Sequence, residues 1–91
     1  MTEAEKSLAV RRDKILTDQM RLAASRKNDL CTAFIETAKN IAAEYPDLSP
    51  AEKQTQFDAL RHEIETMNLR AHQNCSRVLD ELSRILGISN R

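Results

Sequence analysis

Glycine occurs once in 91 residues, proline twice and tryptophan not at all, and only three residues are aromatic. So few breakers, with few β-branched runs, argue against a sheet, whose turns need glycine and proline and whose strands favour branched and aromatic side chains. Positive excess is also missing: fourteen Lys/Arg stand against fourteen Asp/Glu. Free nucleic acid and anionic membranes are met by clearly basic chains, so neither is the expected partner. No apolar run approaches the roughly 20 residues of a membrane span, and MTEAEKSLAV has no apolar signal core.

Cysteine appears only at positions 31 and 75. In the hairpin derived below, these two would lie about 16 Å apart along the axis at 1.5 Å per residue. A disulfide needs Cα atoms within ~7 Å. The expectation is therefore two reduced, half-buried thiols in an intracellular, cytoplasmic protein.

What the chain does have is helix-forming residues with regular punctuation. Thr2-Glu3-Ala4-Glu5 fits a capping box. Neither glycine nor proline follows until Pro46, which pushes the residue before it out of the helical region. Ser49-Pro50-Ala51-Glu52 is the most specific local signal, with Ser49 as N-cap, Pro50 in the first turn and Glu52 closing the box. Gly87 stands where a helix ending at Leu86 would turn left-handed. The expected fold is all-α, one domain over residues 1–91, an antiparallel hairpin of two long helices at about 3–44 and 50–86.

Apolar spacing supports the pairing. Leu16, Met20, Ala23, Leu30, Phe34 and Ile41 alternate steps of three and four, with Lys27 and Thr37 on the same stripe. Phe57, Leu60, Ile64, Met67, Ala71, Cys75, Val78, Leu82 and Ile85 do nearly the same. A short turn makes neighbouring helices antiparallel. Ala38 would then face Phe57, Phe34 face Leu60, Met20 face Cys75, and Leu8 face Ile85 and Leu86, along a rod of roughly 60 Å. Ser25 to Asp29 is polar all round. It reads either as a polar layer with Lys27 reaching outward or as a break near Asn28 that divides the first helix.

Leucines outside this seam suggest a bundle of more than two helices. Residues 1–30 and 68–91 hold eleven Lys/Arg and seven Asp/Glu, whereas residues 31–67 hold three and seven. Such a dipolar rod would pair with a second copy laid the opposite way, giving an antiparallel homodimer and a four-helix bundle; a hetero-complex with another helical protein is the other expected partner. The expected function is a non-catalytic protein–protein interaction module, an adaptor, small chaperone or assembly subunit, meeting its partner through Leu8, Ile15, Leu22, Leu79 and Leu86. The alternative is a dimeric nucleic-acid-binding regulator that presents Arg70, Arg77 and Arg84, which recur every seven residues.

Chemistry has little to stand on. No glycine-rich phosphate loop, HExxH motif or nucleophile–base pair is visible, so no enzyme is expected. Arg12, Ile15 and Asp18 are loosely similar to the start of the first helix of the small chorismate mutases. The next arginine of that pattern falls on Asp29 and the third helix is lacking, so the resemblance fails. His72 and Cys75 are spaced i and i+3, half of a metal site at most, and neither a metal nor a cofactor is expected.

Overall fold

A computed structural model describes residues 2–26, 29–69, 75 and 77–88, and among these described residues there are four helices and no strand. They are α1 (Glu3–Ser25), α2 (Leu30–Glu44), α3 (Pro50–Thr66) and α4 (Val78–Leu86). The all-α bundle agrees with the sequence reading, but each of the two long helices is divided. The first breaks between Ser25 and Leu30, with Asp29 in extended backbone at the start of α2. Lys27 and Asn28, on which the polar-layer reading turned, lie outside the described residues.

The second division has a visible cause at Asn68, which is left-handed at φ 55°. Asparagine tolerates that conformation better than other side chains do. Met67 and Asn68 donate backbone N–H bonds to Glu63 and Glu65, ending α3, and Leu69 turns back into the core. Other punctuation acts as its residue types dictate. The Thr2 hydroxyl accepts from the Glu5 amide at 3.1 Å, and Ser49 and Glu52 complete a reciprocal capping box. Gly87, at φ 77°, ends α4 with the Ile88 amide bonded to Ser83 O at 2.8 Å and its own amide to Arg84 O, a Schellman closure.

The helices surround one core in the neighbour order α1, α2, α4, α3. Packing is closest between α1 and α2 and between α2 and α4, and lighter at α3–α4 and α1–α3. Paired positions give the directions. Arg11 meets Glu44, so α1 and α2 are antiparallel. Cys31 meets Cys75, and Ala42 shares a cleft with Leu86, so α2 and α4 run parallel. Lys53, near the start of α3, lies by Gly87 at the end of α4. Phe34, Ile41, Leu60, Ile64 and Leu82 are the large, fully buried side chains at the centre.

Two expectations change as a result. The helices joined by the Pro46–Ser49 turn, α2 and α3, are diagonal rather than adjacent, so the facing pairs Ala38–Phe57 and Phe34–Leu60 are not made along a shared seam. Five residues from Tyr45 to Ser49 can span roughly 16 Å at 3.3 Å each. A bundle diagonal is only about 13 Å for neighbours 8–10 Å apart. A short turn thus permits the diagonal as readily as the edge. The extents of 35 × 30 × 22 Å also replace the 60 Å rod.

The cysteines are the larger correction. Cys31 and Cys75 form a disulfide, with Cα atoms 5.7 Å apart. Dividing both long helices folds away the axial distance that had kept the two apart. Both residues are buried in the core cluster. In the chain-entropy picture, closing a loop over 44 residues stabilises the fold by about 4 kcal/mol. The two cysteines are thus paired, not the reduced thiols expected of a cytoplasmic protein.

Candidate functional site: the groove between α1 and α3

Light packing between α1 and α3 leaves a groove of about 330 Å³ lined by Leu8, Ala9 and Arg12 on one side and Ala51, Thr55 and Ala59 on the other. Small side chains recur at every fourth position of α3 (51, 55, 59), so one face of that helix stays shallow along its length. Glu5 and Glu52 stand at the groove's edge. Its floor is closed by a polar bridge. The mostly buried Arg12 guanidinium donates from Nη1 to Gln56 Oε1 at 2.9 Å. Its Nε and Nη2 reach Asp13 at 3.2 and 3.1 Å. Gln56 is buried, and this bond gives its amide the partner that burial demands.

Positions chosen from the sequence divide sharply. Leu8, Ile15 and Leu86 are buried within the chain, at 4–5% exposure. Ile15 and Leu86 belong to the chain's own core cluster and Leu8 lines the groove's wall, where the sequence reading had placed all three on an outward contact face. Leu79 is half-buried against the core. Only Leu22, at 43%, is an exposed large apolar side chain from that set. The others among the described residues are Met67, at 37%, and Val10, at 69%. Nothing in the spacing singled out Val10, because it lies on no apolar stripe; its isolation among charged neighbours was the available signal.

Two arginines of the expected strip lie among the described residues. Arg77 is exposed, Arg84 is paired with Glu81 at 3.1 Å, and Arg70 lies outside the described residues. Cys75 is committed to the disulfide and His72 lies outside the described residues, so the i,i+3 ligand pair is not assembled. Among the described residues no group of three or more His, Cys, Asp or Glu is placed to hold a metal ion.

Charge is used inside the fold rather than along a rod. α1 holds five Lys/Arg and four Asp/Glu, while the other three helices together hold four and eight. α1 sits between the acidic α2 and α3. Arg11 binds Glu44 of α2 through two hydrogen bonds of 2.9 and 3.0 Å. That contact holds the Glu44 carboxyl below its ordinary range and raises the Arg11 guanidinium. This pair ties the basic α1 to the acidic α2 within the chain. Among the described residues no helix is long and apolar enough to cross a membrane. Comparison with protein-family models, with curated proteins and with solved structures finds no match to this chain.

Proposed function

We propose that the chain is a non-catalytic helical interaction module whose docking site is the α1–α3 groove and whose occupant is a second copy of itself. The observation that carries this reading is the fit between the groove and the outer stripe of α1. Val10, the most exposed large apolar residue described, is flanked at i−4 and i+4 by the exposed Lys6 and Lys14. The groove presents an alanine-lined trough with Glu5 and Glu52 toward one end and Arg12, bonded to Gln56, toward the other. Small walls allow a helix to approach closely, and opposite charges at the rim set its direction. Val10 lies about 160° round α1 from the groove-lining Leu8 and Arg12 at 3.6 residues per turn, so the stripe of one copy enters the trough of the next, a head-to-tail contact. Lys14 is engaged at home only by an exposed contact with Asp18 at 3.6 Å, which costs little to exchange.

This keeps self-association but replaces the expected antiparallel two-fold on the leucine stripes with a head-to-tail contact between the outer stripe of α1 and the groove. Roles such as adaptor, small chaperone or assembly subunit would follow from what the assembly presents. The disulfide supports maturation in an oxidising compartment over the cytoplasm. Sedimentation of the whole chain between 5 and about 100 µM, the concentrations at which modest interfaces register, tests the pairing. A mass that rises above the 10.4 kDa of one chain with concentration is expected for the native protein, and the chain mass alone for Val10→Asp with unchanged helicity. A native chain that stays single throughout refutes the self-association.

A further inference from the structure

α4 has nine residues, below the length at which a helix sustains itself in water. It stays in place by burying Val78, Leu82 and Leu86 and through attachments at its two ends. One is the Gly87 closure; the other is Cys75, three residues ahead of its first turn and bonded to the second residue of α2. The same offset of 44 that relates Cys31 to Cys75 relates Ala42 to Leu86, which line one cleft. The covalent tie therefore sits at one end of a parallel α2–α4 pair and sets its register.

We propose that the Cys31–Cys75 bond is a redox latch: oxidised, it holds α4 on α2; reduced by a dithiol, it frees α4 and uncovers the α2 face beneath. The exchange balances. A thiolate of the dithiol attacks one protein sulfur, and the other leaves and takes a proton. The reagent's second thiol then displaces the remaining cysteine, giving two cysteine thiols and an oxidised cyclic dithiol. Both protein sulfurs belong to buried residues, so attack waits on local opening. The latch is independent of the proposed pairing, because it ties α2 to α4 while the groove lies between α1 and α3, and a monomeric chain tests it equally well.

The experiment is amide hydrogen exchange on the full chain, oxidised and after dithiothreitol, with thiols counted in denaturant. Expected are no free thiols before and two after, and an acceleration of exchange across Val78–Leu86 at least ten-fold greater than that across α1. Free thiols in the air-oxidised protein would overturn the latch. So would unchanged α4 exchange with both thiols free, or uniform acceleration in every helix. Cys31→Ser with Cys75→Ser is expected to match the reduced chain and ignore dithiothreitol. If that variant fails to fold, the bond is a general staple and not a latch.

Discussion

Arg11 and Glu44 are far apart in sequence and exposed, yet they meet through two parallel hydrogen bonds. This bidentate geometry is the form of surface pair that does register in stability. Glu44 has its folded pKa lowered, chiefly by the hydrogen bond from Arg11. Its contribution is therefore fully present above the ordinary carboxylate value of 4.5 and is lost as pH falls through the lowered folded value. Urea unfolding of the native chain and Glu44→Gln across that range should show a midpoint difference at neutral pH that closes on acidification. A difference independent of pH would assign the effect to packing. Gly87 makes a conformational case at the same scale. A Cβ there would sit 3.5 Å from Lys53 Nζ, an ordinary contact, but at φ +77°. Gly87→Ala should cost about 1 kcal/mol from the left-handed backbone alone, with Gly87→Asn costing less, both read from denaturant midpoints.

Helix ends decide the elements. Pro46 and the Ser49 capping box were legible because proline and reciprocal caps act through immediate neighbours. Asn68 was not, since asparagine is compatible with a helix interior and only the return of Leu69 to the core selects its left-handed state. Asn68→Gly is expected to be neutral or slightly stabilising. Asn68→Val should cost roughly 1–2 kcal/mol, because a branched side chain resists positive φ. Equal stability of the two would show that the turn is not held left-handed. For α4, Leu82 is fully buried, and Leu82→Ala is expected to lose about 2–5 kcal/mol by thermal or chemical unfolding. A smaller loss would mean that α4 contributes little to the core.

For the whole molecule, the radius of gyration of 12.7 Å is close to the ~12 Å of a compact chain this long. Leu8, Ile15 and Leu86, which seemed to need a partner, are buried within the chain's own bundle, so four helices come from one chain where two chains had been expected. This changes what a charge on the old seam does. Ile15→Asp puts a carboxylate at a site of 5% exposure. It should unfold the protein, as loss of the far-ultraviolet helical signal, and not merely separate two folded copies. Val10→Asp, on the exposed stripe, should leave that signal intact.

Composition, periodicity and caps settle from sequence alone that the chain is helical, that one helix ends at Glu44 and that the next begins at Pro50. These are local matters, governed by backbone sterics and hydrogen bonds within a few residues. Apolar spacing also identified most of the core, because burial follows side-chain chemistry whichever helix supplies the cover. Tertiary structure alone decided which helix lies beside which, that Cys31 reaches Cys75, and that α1 and α3 part to leave a groove. A stripe specifies that it must be buried and not by what, and a five-residue turn can cross an edge or a diagonal with equal ease.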